Sequence, residues 1–345
     1  MNASDSPLDT HVRILVFIGP SNDDAIGENL IKLPFLRALH LAYPGAEITW
    51  IHGEAPLRFQ SILEPLARGL ITDVLPHTVL GDSWLSAFNP CRLLPGQHYN
   101  LIIDTQKNPK FSLALRRISH DQFISSTWRF ALSSSRPSGG KFRKGTLSEC
   151  MLQLLEIAVG SKQDPGHKAI LPDEFIVAAK LALPSGQTYI GLAPGAGRAD
   201  SGKCWSLANY IAVAIDQIKK GRPCVFFLGP DEADWQKKII REIPGAQFSP
   251  LELTAPDGSN LSGPTVTVAL AGQLSVGISN CSGTGHMLAA GGAPMVSLYG
   301  PTNPDKFAPY TPDITIIRAQ QFGGSDIELI PVDAVIKAID GQLEK

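Results

Sequence analysis

Short apolar runs that stop at turn residues recur along this chain and alternate with segments of helical period. The first is Val12-Arg13-Ile14-Leu15-Val16-Phe17-Ile18, which ends at Gly19-Pro20. A continuous apolar run of that length fits a strand buried on both faces. Runs of the same kind occupy residues 47–51, 70–75, 100–104, 189–193, 224–228, 295–299 and 314–317. Between them, Leu207, Ile211, Ala214 and Ile218 keep a helical spacing, with Ser206 placed to cap the start and Gly221 to stop the end. Strands alternating with helices imply an α/β architecture with parallel sheets.

The 345 residues are enough for about two domains. A first unit is expected over 12–172. A second is expected over 186–330, because Leu183-Pro184-Ser185-Gly186 punctuates the chain just before a fresh strand. Residues 331–345 read as a terminal helix that opens at Pro331 and carries Val332, Val335, Ile336 and Ile339 on one face. The polar residues 1–11 read as a frayed end.

A net charge of −2 argues against a dedicated nucleic-acid binder. No apolar run reaches the roughly 20 residues of a membrane span, and the first residues lack the pattern of a secretory signal. The five cysteines, Cys91, Cys150, Cys204, Cys224 and Cys281, form no Cys-x-x-Cys pair, so neither a disulfide framework nor a zinc ribbon is indicated. A reducing cytoplasm is the expected location. No Asp-x-Asp and no His-Glu-x-x-His spacing occurs, and no metal site is expected.

Chemistry concentrates in turns that follow strands. In the run from Ser279 through Cys281, Ser282, Gly283, Thr284 and Gly285 to His286, a small-residue turn leads into a short helix. Helix starts present free N–H groups and partial positive charge, which suits a phosphate, and small residues let a ligand approach the backbone. A plain tight turn accounts for this stretch equally well, and a lone His286 reads as a buried histidine. Pro194-Gly195-Ala196-Gly197 forms a second such turn, followed by Lys203-Cys204-Trp205, where Lys203 suits a diphosphate. The turn Leu228-Gly229-Pro230-Asp231-Glu232 offers a carboxylate to ribose hydroxyls or, more simply, to a helix start. After the first strand, Asp23, Asp24 and Glu28 bring carboxylates near the cleft between the units. Asp23 and Asp24 read as helix-start acids, and one carboxylate of the three suits a general base. Neither Gly-x-Gly-x-x-Gly nor a Walker loop is present, which disfavours a nicotinamide dehydrogenase. Residues 101–150 hold nine Lys/Arg against three Asp/Glu, with Lys107 near the start and Lys141, Arg143 and Lys144 clustered in a loop. Such a stretch suits an anionic acceptor or membrane surface, or is simply a solvated loop.

Together these blocks resemble glycosyltransferase family 9, the ADP-heptose:lipopolysaccharide heptosyltransferases, over roughly 12–310. The resemblance rests on Gly27-Glu28 with Leu33-Pro34-Phe35-Leu36-Arg37-Ala38-Leu39, on residues 99–106, and on Ala193-Pro194-Gly195-Ala196 with Lys203-Cys204-Trp205. It rests further on residues 280–290 with Tyr299-Gly300-Pro301-Thr302-Asn303-Pro304. It implies a GT-B fold, two Rossmann-like domains facing across a cleft, with the terminal helix packing back toward the first. It implies inverting, metal-independent transfer from a nucleotide sugar that serves as substrate, ADP-heptose by default, with no cofactor. By position, Glu28 matches the catalytic base, Lys203 the lysine on the donor phosphates, and Glu232 the acid near the ribose. Gly195 and Ala196 fall in the donor turn; Cys281, Ser282, Gly283, Thr284 and His286 fall in the diphosphate block; Thr265 is expected near the donor's nucleobase. An anionic glycan or lipid-linked acceptor, met by Lys107, Lys141, Arg143 and Lys144 at the inner membrane surface, completes the expectation. Glu28 and Cys281 stand where the family usually has Asp, and the loop ahead of Gly27 is longer than usual. A relative using another nucleotide sugar, or a non-catalytic nucleotide-binding scaffold, are the alternatives.

Overall fold

The computed structural model describes residues 12–20, 25–53, 57–81, 93–138, 142–166, 168–197 and 202–345. Two parallel sheets organise them. The first contains β1 (Arg13–Phe17), β2 (Glu47–His52), β3 (Asp73–Pro76), β4 (His98–Asp104) and β5 (Ser119–Ser125), in the order β3-β2-β1-β4-β5. The second contains β6 (Ile190–Ala193), β7 (Cys224–Phe226), β8 (Gln247–Phe248), β11 (Val276–Asn280), β12 (Met295–Tyr299) and β13 (Ile314–Arg318). Its order is β13-β12-β11-β6-β7-β8, while β9 (Glu252–Thr254) and β10 (Asn260–Ser262) form a separate antiparallel pair. Counted within its own unit, the first sheet runs 3-2-1-4-5 and the six-stranded second sheet 3-2-1-4-5-6, the doubly wound order. In both, the chain reverses direction beside that first strand, so ligand-sized crevices open at its carboxyl end.

Burial explains why β1 holds a centre. Ile14 and Val16 face one hydrophobic cluster, Leu15 and Phe17 another, and all four are fully buried. Helix α1 (Ile26–Ala42) covers the first face with Leu30, Leu33, Leu36 and Leu39, and α4 (Leu147–Val159) packs beside it. The opposite face is closed by Phe111 and Leu115 of α3 (Pro109–Leu115); α2 (Glu64–Ala67) is a short turn ahead of β3.

One boundary and one packing expectation differ from those read in the sequence. Helix α5 (Asp173–Ala182) lies between the expected units, and it buries Phe175, Ala178 and Ala179 in the cluster under the second sheet. The terminal helix, α11 (Val332–Leu343), was expected to pack back toward the first domain. It docks instead on the second sheet beside α6 (Leu207–Lys219). Val335 and Ile339 are fully buried in the cluster with Ile278 and Val296. Burying two such side chains contributes about 1.5–3 kcal/mol each, enough to hold a twelve-residue helix in place. Lys220 Nζ lies 2.9 Å from Asp340 Oδ2, Arg222 joins the same carboxylate, and Trp205 Nε1 donates to Ile330 O at 3.0 Å. The apolar stripe was therefore read correctly, but a stripe does not name the surface it meets. In α6 the inward face is Tyr210, Val213, Ala214 and Gln217, which leaves Ile218 exposed.

The units meet at two helix starts. Helix α9 (Gly283–Ala290) begins against the beginning of α1. A Cβ at Gly27 would stand 3.1 Å from Gly283 Cα and 3.4 Å from His286 Cδ2. Helix α8 (Pro264–Ala271) packs on the far side of α9, and α7 (Ala233–Glu242) follows β7. The short α10 (Pro304–Phe307) follows β12.

Candidate active site

The carboxyl end of β11 delivers the phosphate-type turn. Asn280 is buried and fully engaged: Nδ2 donates to Pro194 O at 2.6 Å, and Oδ1 accepts from Trp205 N and Tyr210 Oη at 3.2 Å each. One side chain thus ties the ends of β6 and β11 to the start of α6, bringing both sequence-predicted donor turns together. Ser282 caps α9 by accepting from Gly285 N at 3.2 Å. Helical geometry then gives the N–H groups of Gly283 and Thr284 no intrahelical acceptor, which leaves them for a ligand.

Glycines keep this surface open. A Cβ at Gly195 would lie 2.3 Å from Glu232 Oε1, so the carboxylate of Glu232 rests in the space that Gly195 leaves. Its other oxygen accepts from Gly229 N at 2.8 Å. Glu232 is therefore a brace between two turns, with Oε1 on the Gly195 side. Cys281 is half-buried; burial raises its thiol, Lys203 draws it partly back, and Thr302 hydrogen-bonds it. Lys203 therefore lies within electrostatic reach of Cys281, beside the β11 turn. Burial and Glu232 raise the Cys204 thiol, so Cys204 and Cys281 are protonated packing groups rather than thiolates. His286 is buried against Gly27, and desolvation pushes it down to about 4, which keeps it neutral at physiological pH. Thr265 is fully buried and its Oγ1 has no partner, so its hydroxyl is sealed within the fold rather than offered at the surface.

On the first sheet the groups are side chains. Glu28 is exposed in the first turn of α1, next to the Gly27–Gly283 contact. A cleft of about 1290 Å³ opens between the units and is lined by Lys107, Arg143 and Lys144 on one side and by Asn303, Lys306 and Tyr310 on the other. Three of the four expected acceptor cations therefore share one cleft. Gln153 anchors their loop by accepting from Arg143 N at 2.7 Å and donating to Arg143 O at 3.1 Å. Arg143 also pairs with Glu156 at 2.5 Å, so its charge is partly met within the protein. Lys107 Nζ lies 5.9 Å from the Phe142 ring centre. Lys141, Asp23, Asp24 and Cys91 lie outside the described residues.

Sequence reasoning missed two features of this edge. At the end of β4, Asp104 is buried and accepts from Ser112 Oγ at 2.5 Å, Ser125 Oγ at 2.8 Å and Gln106 N at 2.9 Å. Desolvation dominates and raises it to about 6, despite those three donors. Gln106 then donates through Nε2 to Ile18 O, just past the end of β1. The second feature follows β5, where Trp128, Arg129 and Phe130 have φ of 48°, 55° and 67°. Left-handed backbone costs non-glycine residues about 1–2 kcal/mol each. The only sequence cue was position, since both features follow strands of the first sheet.

Two doubly wound sheets, joined at opposed helix starts and enclosing a cleft, define a GT-B molecule. A family model, glycosyltransferase family 9 (heptosyltransferase), matches residues 91–327, and the chain belongs to that family. Over 156 residues it is 28% identical to lipopolysaccharide heptosyltransferase 2 of Salmonella typhimurium. That alignment covers 44% of this chain and 41% of the relative, so the match spans about two fifths of that protein's length. Among solved structures, a glycosyl transferase family 9 protein of Veillonella parvula superposes with TM-score 0.66 at 19% identity, covering 96% of this chain and 97% of the other. The E. coli ADP-heptose lps heptosyltransferase II gives 0.60 at 19%, covering 96% and 99%. An E. coli heptosyltransferase solved with ADP-2-deoxy-2-fluoro heptose gives 0.61 at 18%, covering 96% and 99%. These structures bear on the fold. Among the described residues, no helix is long and apolar enough to cross a membrane.

Proposed function

We propose that this protein transfers a sugar from a nucleotide-sugar donor, ADP-heptose by kinship, to an anionic glycan acceptor of the lipopolysaccharide core. The observation that supports this reading is the close approach of Gly27 to Gly283, which brings the first turn of α1, where Glu28 lies, against the start of α9. Glu28 takes the proton of an acceptor hydroxyl as that oxygen bonds to the anomeric carbon. The bond from that carbon to the diphosphate breaks on the opposite face, and the electron pair leaves with the diphosphate, so configuration inverts. The N–H groups of Gly283 and Thr284, with Lys203, meet the charge that develops there, and this reading needs no metal. Glu232 and Gly195 form the ribose side of the donor site, with Ala196, Ser282, His286 and Cys281 around the diphosphate. Thr265 supports the base side from within α8 rather than by direct contact, because its hydroxyl is sealed. Residues 12–172 supply the acceptor side, where Lys107, Lys141, Arg143 and Lys144 meet anionic groups, and the enzyme works at the inner face of the membrane.

The test is transfer itself. Purified protein is incubated with ADP-heptose, or with UDP-, GDP- and CMP-sugars, and a deacylated core oligosaccharide. Product from ADP-heptose supports the reading, and product from another donor keeps the mechanism but changes the sugar. Nucleotide binding without turnover of any donor identifies a scaffold instead.

A further inference from the structure

The turn after β5 is held in a shape that folding alone disfavours twice. Three consecutive non-glycine residues are left-handed, and the first of them, Trp128, leaves an indole 54% exposed. Backbone strain and an uncovered indole both oppose stability, and strain of this kind persists only where the surroundings impose it. Here they do so from both ends. Thr127 is buried in the Asp104 cluster, with its Oγ1 2.7 Å from Ser112 Oγ and its N–H donating to Ser125 Oγ at 3.2 Å. Phe130 is buried with its ring 5.5 Å from that of Phe142. Beyond it, Ser134 N donates to Phe123 O at 2.7 Å, and Ser133 Oγ accepts from Ser125 N at 3.3 Å, so the chain folds back along β5. What remains outside the clamp is the indole of Trp128 and the guanidinium of Arg129, both exposed. They stand past the carboxyl end of β5, and Phe130 of the same turn meets Phe142, which lines the inter-unit cleft together with Lys107.

We propose that Trp128 and Arg129 form a second acceptor subsite that takes an anionic sugar ring: the indole stacks on the ring's C–H face and Arg129 pairs with its acidic substituent. This rests on the reading that the first-sheet edge receives a glycan acceptor. A pyranose offers one largely apolar face, and its equatorial hydroxyls stay hydrated when that face meets an indole. An indole carries large contact area on few rotatable bonds, and the clamped backbone has little freedom left to lose on binding. The guanidinium reads a carboxylate or phosphate through two parallel hydrogen bonds, which selects an acidic sugar over a neutral one. Because the buried hydroxyl cluster on Asp104 holds the turn, the platform is present before the ligand arrives.

The experiment is a binding titration of deacylated lipopolysaccharide core oligosaccharide, followed by calorimetry on wild type, Trp128→Ala and Trp128→Phe, with ADP titrated in parallel. Trp128→Ala should weaken oligosaccharide binding roughly tenfold. Trp128→Phe should recover most of that loss, and ADP affinity should not move. Trp128→Gly, which suits the left-handed φ, should melt no lower than wild type. Equal oligosaccharide binding by wild type and Trp128→Ala, or no binding by wild type, overturns the subsite. A large fall in melting temperature for Trp128→Gly overturns it too, because the indole would then be structural. If oligosaccharide binds through Trp128 but no sugar is transferred, the subsite stands and the transferase reading fails.

Discussion

At the carboxyl edge of the second sheet the groups we assign to a ligand are mostly backbone: the N–H groups at the start of α9 and the turns kept low by Gly195 and Gly229. At the same edge of the first sheet they are side chains: Glu28, Lys107, Arg143, Lys144 and the exposed Trp128–Arg129 pair. Backbone amides read a charge and a shape common to every nucleoside diphosphate. Side chains read substituents, which differ from one acceptor to another. The buried supports differ in kind as well. Asn280 braces the second edge with neutral hydrogen bonds, whereas Asp104 braces the first with a carboxylate that titrates near pH 6.

If the two edges divide the labour in this way, substitutions on them should separate. The largest effect belongs to Glu28→Gln: transfer falls on the order of 10²–10⁴-fold, as for loss of a general base, while ADP affinity measured by calorimetry stays within error of wild type. Lys203→Ala should lower kcat/KM on the order of 10²-fold and weaken ADP as well, since it removes a charge on the leaving diphosphate. Steady-state kinetics with both substrates varied distinguish the two patterns.

The buried supports predict opposite pH slopes. Unfolded Asp104 loses its proton near 3.8 and folded Asp104 only near 6, so its contribution to stability is full below about pH 4 and falls by about 3 kcal/mol as pH rises through 6. His286 does the reverse: it is neutral in the fold down to about 4 but titrates near 6.5 when unfolded, so stability rises by about 3 kcal/mol between those values. In wild type the slopes offset. Urea unfolding of Asp104→Asn between pH 4 and 6.5 should therefore reveal a rise in stability with pH, and His286→Gln a fall. The smallest effect is expected for Lys144→Ala. It should raise acceptor KM several-fold in low salt, leave donor KM unchanged, and lose its effect as ionic strength screens the contact.

The second edge was easier to read in the sequence than the first, and the reason is physical. A phosphate-type turn needs glycine and a cap at set positions, so Ser282, Gly283 and Gly195 announce it. The first edge depends on which side chains a sheet happens to bring together. Asp104 and Thr127, the residue ahead of Trp128, are 23 positions apart and share one hydroxyl cluster because β4 pairs with β5. Strand β5 itself was missed because its outer half, Ser119 to Gln122, is polar and only its end, Phe123 to Ser125, is buried. Strand β11 was missed although every residue is buried, because Gly277 and Ser279 interrupt the apolar run. Gly277 fits a tight place there, since a Cβ would stand 3.0 Å from Met295 Sδ and 3.1 Å from Leu288 Cδ1. The terminal helix shows the converse: its stripe was plain, but its partner was set by Asp340 and the cluster around Ile278.

The division of labour is tested most directly by thermal unfolding of the protein with ADP, UDP, GDP and CMP, each in EDTA and all at one concentration, about 100 times the dissociation constant of ADP from wild type. ADP alone should add about 2.7 kcal/mol of stability, and Lys203→Ala should lose most of that gain while Glu28→Gln keeps it. Equal stabilisation of wild type and Lys203→Ala, or none by any nucleotide, would contradict a diphosphate site at the edge of the second sheet.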